Sequence, residues 1–276
     1  MKIFLTGATG FIGSYILQHA LSAGHTVLAH RRDPYRNTVI DITKDPLWID
    51  RPLCNLTINN IHDCDAIIHL AATGVSPRTS TWSELYQVNI RDTLSICELA
   101  KAINVPLVLS GSYAEYGLSA LRYHKIPADA PLEPTFPYAA SKAAGGLLSM
   151  SFARSEKLSL SYLRIFNAFG HGQHRSNLWP SLLKAAQNGC DFPMTPGEQI
   201  RDFIAVEDVA TAFLNETISI VDKDNIISVK NIASGKPQSI RGFCEYWWEK
   251  WGAIGKLDIG ALPYRKGEVM RYVPEV

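Results

Sequence analysis

Apolar positions along this chain follow two alternating rhythms. Short apolar runs stand between glycines and polar residues: "KIFLTG" from Lys2, "HTVLAHRR" from His25, "DAIIHLAA" from Asp65, "PLVLSGS" from Pro106 and "LSLSYLRIF" from Leu158. Between them lie longer segments of helical period: "FIGSYILQHALSAG" from Phe11, "STWSELYQVNIRDTLSICELAKAI" from Ser80 and "PYAASKAAGGLLSMSFARSE" from Pro137. A strand covered on both faces shows no polar alternation, because both rows of its side chains meet helices. Such strands, separated by helices and joined by right-handed crossovers, predict an α/β fold with a doubly wound parallel Rossmann sheet. Beyond residue 166 the pattern loosens. "NAFGHGQHRSN" reads as a glycine-rich loop, "LWPSLLKAAQNG" as a helix, "QIRDFIAV" as a strand and "VEDVATAFLNETI" as a helix packed back on the sheet. The expected division is a dinucleotide-binding domain over residues 1–165 and about 203–230. A smaller C-terminal substrate-binding lobe then takes about 166–202 and 231–276.

Composition narrows the function classes. The 276 residues are 46% hydrophobic and 19% charged, with a formal net charge of +1. Scattered basic residues give no footprint for nucleic acid or an anionic membrane surface. The apolar stretch after Met1 is too short and glycine-broken for a signal peptide or spanning helix, so a cytoplasmic location is expected. Five cysteines, an odd number and widely spaced with no C-x-x-C, argue against a disulfide framework or a zinc site. No metal is expected.

"GATGFIG" places Gly7, Gly10 and Gly13 between the first strand and the first helix. Glycines there allow a tight turn and a close backbone approach to a pyrophosphate, and the helix N-terminus supplies free N–H groups. The second strand ends in "HRRD", so Arg31 and Arg32 stand where an NAD site generally has an acid for the ribose hydroxyls. NADP(H) is therefore expected rather than NAD(H). Asp41, in "VIDIT", is placed just past the next short strand, within reach of an adenine amino group. Tyr138 and Lys142, in "PYAASK", share one helix face at i,i+4. A nearby ammonium is expected to lower the tyrosine pKa toward working pH. "YWWEK" repeats the spacing with Tyr246 and Lys250, but follows no catalytic strand and reads as an amphipathic helix with an aromatic core face.

Taken in order, "GATGFIG", "HLAA", "LSGSYAEYG" and "PYAASK" resemble the extended short-chain dehydrogenase/reductase family, in its nucleotide-sugar epimerase, dehydratase and reductase branch. The likeness extends through "LRIFNAFG", "QIRDFIAVEDVA", "NIASGKPQSIR" and "YRKGE", nearly the whole chain. It implies a catalytic Ser112, Tyr138 and Lys142, with Tyr138 protonating the sugar oxygen in a reduction. The cofactor site it implies comprises Gly7, Gly10, Phe11, Ile12, Gly13, Arg31, Arg32, Asp41, Leu70, Ala71, Ala72 and Asn89, with Tyr138 and Lys142. For the sugar nucleotide it implies Thr73, Ser76, Ser112, Tyr113, Asn167, Arg201, Tyr264 and Arg265, the arginines suiting the diphosphate. A homodimer through helices over 82–103 and 137–157 also follows from the likeness.

Departures from the family pattern select among reactions. Dehydratases of this branch carry Asp-Glu directly after the catalytic Ser or Thr, where this chain has Tyr113 and Ala114. The 3,5-epimerising reductases carry a cysteine near the same loop, where Ala114 stands. His171 and His174 are alternative proton shuttles in a glycine loop. Two reactions remain: NADPH-dependent reduction of a nucleotide-linked 4-keto-6-deoxyhexose, and 4-epimerisation with a retained cofactor. "GSYAEYG" and the arginine pair favour the reductase. A non-catalytic dinucleotide sensor would retain "GATGFIG" and lose part of the Ser-Tyr-Lys set. Relatives continue past "GEVMRYVPEV", so a more open substrate site is expected.

Overall fold

The computed structural model describes residues 1–75, 78–265 and 267–276. Strands β1 (Lys2–Thr6), β2 (Thr26–Arg31), β3 (Leu47–Asp50), β4 (Ala66–His69), β5 (Leu107–Ser112) and β6 (Leu160–Ile165) are separated by helices, except that β3 follows β2 through a loop. The helices among them are α1 (Phe11–Ser22), α2 (Ile58–Ile61), α3 (Trp82–Leu85), α4 (Thr93–Ala102) and α5 (Pro137–Glu156). Later come β7 (Asn167–Phe169), α6 (Leu178–Gln187), β8 (Phe192–Met194), β9 (Ile200–Ala205), α7 (Val206–Val221) and β10 (Ile227–Ile232). The last elements are β11 (Pro237–Ser239), α8 (Ile240–Lys250), β12 (Leu257–Ile259) and β13 (Arg271–Tyr272).

The main sheet runs β10-β6-β5-β4-β1-β2-β3, and all its pairings are parallel. Its two faces carry two apolar cores. Ile3, Leu5, Ile16, Val209 and Phe213 meet on the α1/α7 side, and Phe4, Ile67, Ile96, Leu109 and Met150 on the α4/α5 side. Alternate residues of one strand thus feed opposite layers, which is why these runs show no polar alternation. The chain order reverses between β1 and β4, so a crevice opens beyond their C-terminal ends.

A second sheet of β11, β9 and β13, with β7 beside β9, and a pair β8/β12 form the smaller lobe. Leu182, Met194, Cys244 and Trp248 are its core. The expected boundary near 203 falls inside β9, a strand of the smaller sheet, and that near 230 falls inside β10, an edge strand of the main sheet. The "YWWEK" segment lies on α8, with Phe243, Cys244 and Trp248 buried and Lys250 over the Trp247 ring. All five cysteines are free thiols, with Cys64, Cys97 and Cys244 buried.

The segment expected as one helix over 80–103 holds a π-helical stretch, Tyr86–Asp92, between α3 and α4. It packs against α5 at Gly145, where an added Cβ would lie 2.2 Å from the Asn89 carbonyl oxygen. A Cβ on Gly146 would lie 2.5 Å from the Tyr162 ring. Both glycines therefore serve packing within the chain.

Candidate active site

The phosphate loop lies at the switch point. Gly7 has φ +71° and a Cβ there would come within 2.9 Å of Ala71 N, while one on Gly13 would lie 2.1 Å from Gly7 O. Only glycine fits either position. Helix α1 has no side-chain cap and no acid in its first turn, so the N–H groups of its first turn are left without a side-chain acceptor. This cradle fits a dinucleotide pyrophosphate.

The opposite wall, after β4, is tied to the loop through Thr6. Its Oγ1 accepts from Leu70 N–H at 3.1 Å and Ala71 N–H at 3.2 Å, and its own proton goes to His69 Nδ1 at 2.7 Å. His69 Nε2 then faces Thr93 Oγ1 at 3.2 Å. A neutral ring with its proton on Nε2 satisfies both contacts, and burial, then Lys142, push His69 down to about 3. Asn89 continues the wall. Its Nδ2 donates to Thr73 O at 3.0 Å and Ser141 Oγ at 2.9 Å, while Oδ1 accepts from Thr73 N–H at 2.9 Å. Both Asn89 donors are committed to the protein, so it anchors the Leu70–Thr73 loop against α5.

At the end of β2 the two arginines differ. Arg31 forks onto Asp50 of β3, Nε to Oδ1 at 2.5 Å and Nη2 to Oδ2 at 3.3 Å, and stacks 4.3 Å from the Trp48 ring centroid. Arg32 is exposed. Asp41 precedes the third strand instead of following it, because that strand is Leu47–Asp50. The carboxylate at the end of the strand is Asp50, which the sequence reading missed. Its signal is the short apolar run "LWID", overlooked because the earlier "TVIDI" has the same shape.

Ser112 ends β5 and caps the following turn, its Oγ accepting from Ala114 N–H at 3.3 Å. Tyr138 and Lys142 lie one turn apart at the start of α5, Tyr138 half-buried and Lys142 buried. The phenol is pushed above its ordinary range by burial first, then by the Glu115 carboxylate, while the Ser112 hydroxyl pulls it down. Burial also lowers Lys142, with Glu115 opposing. The expected lysine-driven depression of Tyr138 is thus reversed: a half-buried phenol with a carboxylate behind it holds its proton.

The predicted substrate residues spread from here into the smaller lobe. Tyr113 packs on Phe166 and Tyr272, its phenol within the fields of Arg201, Glu268 and Arg265. Arg201 is buried, with Nη2 on Glu268 Oε1 at 3.1 Å and Val269 O at 2.7 Å. Arg265 is exposed, and the Tyr264 hydroxyl donates to Glu198 Oε2 at 3.0 Å. Asn167 Nδ2 donates to Asp202 O at 3.3 Å, and Thr73 Oγ1 meets Ser80 Oγ at 2.8 Å. Ser76 lies outside the described residues. His171 and His174 are exposed, the first edge-on to Trp179 and the second accepting from Ser176 N–H. Among the described residues no group of His, Cys, Asp and Glu is arranged to hold a metal, and no helix is long and apolar enough to cross a membrane.

The NAD dependent epimerase/dehydratase family matches the chain over residues 3–217. The CDP-abequose synthase of Salmonella muenchen is 26% identical over 98% of this chain and 87% of its own length. The GDP-6-deoxy-D-mannose reductase of Pseudomonas aeruginosa is 28% identical over 88% of this chain and 78% of its own. MoeE5, solved with UDP-glucuronic acid and NAD, superposes with a TM-score of 0.84 at 28% identity, over all of this chain and 90% of that one. With the glycine cradle at the switch point and the Ser-Tyr-Lys set beside it, the chain belongs to the NAD dependent epimerase/dehydratase family, the extended short-chain dehydrogenases/reductases.

Proposed function

We propose that this protein reduces the 4-keto group of a nucleotide-linked 4-keto-6-deoxyhexose with NADPH. The observation that carries the reading is Tyr138 at the start of α5, one helical turn before the buried Lys142 and beside the Ser112 hydroxyl, with burial and Glu115 favouring its protonated form. The bound nicotinamide supplies the hydride. Tyr138 gives its proton to the ketone oxygen as negative charge develops there, Ser112 Oγ–H donates to the same oxygen, and Lys142 stabilises the phenolate left behind. A group that begins the cycle protonated suits a net reduction better than an epimerase, whose first step needs a base.

Tyr113 supports the same choice. With Tyr113 and Ala114 standing where dehydratases carry Asp-Glu, and Ala114 where the epimerising reductases carry cysteine, the loop supplies neither a carboxylic acid nor a thiol for chemistry at C3, C5 or C6. Arg201 and Arg265 are assigned to the diphosphate, with Glu268 giving up Arg201 when it binds. The two relatives named for a CDP-sugar synthase and a GDP-sugar reductase fit this substrate class.

For the cofactor, Arg32 and a released Arg31 would hold the 2′-phosphate of NADP(H). The enzyme is taken to be cytoplasmic. It is also taken to be a homodimer through the exposed Trp82, Tyr86, Leu147 and Leu148 on α3, the π-helical stretch and α5, so Leu147→Glu should halve the sedimenting mass. An unchanged mass would discard that face as the interface.

The test of function is NADPH oxidation with a panel of nucleotide 4-keto-6-deoxy sugars, in wild type and Tyr138→Phe. Oxidation by wild type and loss of turnover in the variant, at unchanged NADPH binding, are expected. No oxidation, with interconversion of two 4-hydroxy sugars, would replace the reductase by the epimerase.

A further inference from the structure

Behind the Ser-Tyr-Lys set lies a buried carboxylate that no role above uses. Glu115 has no solvent exposure. Its Oε1 accepts from Ser112 N–H at 2.7 Å and from Tyr162 O–H at 2.8 Å, and its Oε2 accepts from Arg164 Nε–H at 2.8 Å. Arg164 in turn donates from Nη1 to Tyr116 Oη at 3.1 Å and Ala128 O at 2.6 Å, and Tyr116 O–H donates to Asn231 Oδ1 at 2.6 Å.

The space for this cluster is built. A Cβ on Gly111 or on Gly146 would lie 2.5 Å from the Tyr162 ring, so only glycine on β5 and on α5 admits that ring between them. The Tyr162 hydroxyl then reaches Glu115 and, at 3.1 Å, the carbonyl of Lys142. One carboxylate thereby joins the loop bearing Ser112, strand β6, and the helix bearing Tyr138 and Lys142.

We propose that Glu115 is a positioning residue of the active site, fixing Ser112 through its backbone and supplying the fixed negative charge behind Tyr138 and Lys142. This rests on the catalytic reading of those three residues. The groups facing Glu115 are Ser112 and Tyr116 on its own turn, Tyr138 and Lys142 on α5, and Tyr162 and Arg164 on β6. Neutral His69, at the end of β4, faces Lys142 from the other side. Among them Arg164 is the direct counter-charge and leaves the pair neutral overall. The carboxylate opposes ionisation of Tyr138 and favours the ammonium of Lys142, so both effects keep the acid form that a reduction consumes. After proton transfer the same charge disfavours the phenolate.

The experiment compares wild type, Glu115→Gln and Tyr138→Phe as full chains. It follows the 13C signal of tyrosine-labelled protein against pH, with the Tyr138 resonance identified by its loss in Tyr138→Phe. The pH profile of NADPH-dependent reduction is recorded in parallel. Removing the charge lowers both Tyr138 and Lys142, so in Glu115→Gln the Tyr138 signal and the basic limb of kcat/KM should move to lower pH by on the order of one unit. NADPH affinity should stay within about twofold, since the cofactor cradle is untouched. A phenol that ionises at the same pH in both proteins, or in neither up to alkaline unfolding, overturns the proposal. If Glu115→Gln fails to fold, Glu115→Gln/Arg164→Gln removes both charges and must show the same direction of shift; an unchanged midpoint there refutes it. Should wild type reduce no keto sugar, the reductase reading fails, while the tyrosine titration still decides the role of Glu115.

Discussion

Replacing Gly145 by alanine sets two effects against each other. In a helix interior alanine is favoured over glycine by about 1 kcal/mol. Here the new Cβ would sit 2.2 Å from the Asn89 carbonyl oxygen, and the nearest ordinary contact is 3.4 Å, so α5 must retreat by about 1.2 Å. A backbone oxygen within a π-helical stretch has no rotamer to escape into, and at 2.2 Å the overpacking cost falls at the upper end of its usual range, about 2–3 kcal/mol. The clash outweighs the propensity gain, leaving a net loss of roughly 1–2 kcal/mol. For a chain of this size that lowers the melting temperature by about 3–6 °C. Activity should fall further than stability, because α5 carries Tyr138 and Lys142 and a displacement of about 1 Å can cost about 100-fold in rate. Thermal unfolding by circular dichroism and NADPH oxidation measure the two. Ala144→Ser, on the exposed side of the same helix, is the control. A Gly145→Ala protein that melts at or above wild type with full turnover would refute the close packing of α5 on the π-helical stretch.

Acid should weaken the fold through His69. Its native pKa lies near 3 against 6.5 when exposed, so the unfolded chain binds a proton between those values that the native state refuses. Stability is complete above pH 6.5 and falls as pH drops toward 3, by about 1.4 kcal/mol per unit. Urea unfolding at pH 7 and pH 5 should differ by about 2 kcal/mol from this group alone. An equal slope in His69→Gln would show the loss lies elsewhere. Asp50→Asn frees the Arg31 fork, and fluorescence titration should show NADPH affinity rising several-fold relative to NADH. A ratio that stays put would mean that Arg31 does not read the 2′-phosphate.

The sheet was largely legible because each buried strand must be apolar on both faces. "KIFLTG", "DAIIHLAA" and "PLVLSGS" left no other reading, and β1, β4 and β5 lie within them. Strand β3 was not legible, since Leu47–Asp50 is a four-residue edge strand with one neighbour and resembles the loop residues before it. The π-helical stretch escaped because "LYQVNIRDT" has ordinary helical composition, and the close approach of Asn89 to Gly145 is a contact 56 residues away in the chain. Within the site, the order of motifs singled out Ser112, Tyr138 and Lys142, which the fold sets at the end of β5 and the start of α5. Glu115 was not singled out, because the side chains that engage it, Tyr162 and Arg164, come from β6. The sign of the Tyr138 shift was misjudged for the same reason: burial and Glu115 are tertiary facts, while the lysine four residues on is a local one.

The network behind Ser112 also sets an order of assembly. Asn231, at its far end, donates to Ile126 O and Glu275 O, while Ile126 N–H donates to Val273 O. Residues more than 150 positions apart thus share one hydrogen-bonded chain, and its closure must wait for β10 and the segment Arg271–Glu275 to dock. Refolding should restore the far-UV signal of the sheet before it restores turnover, with NADPH binding recovering alongside the sheet. Simultaneous recovery of all three would mean that Ser112 settles without that segment. On this account the glycine cradle is an early product of folding and the Ser112 side of the site a late one.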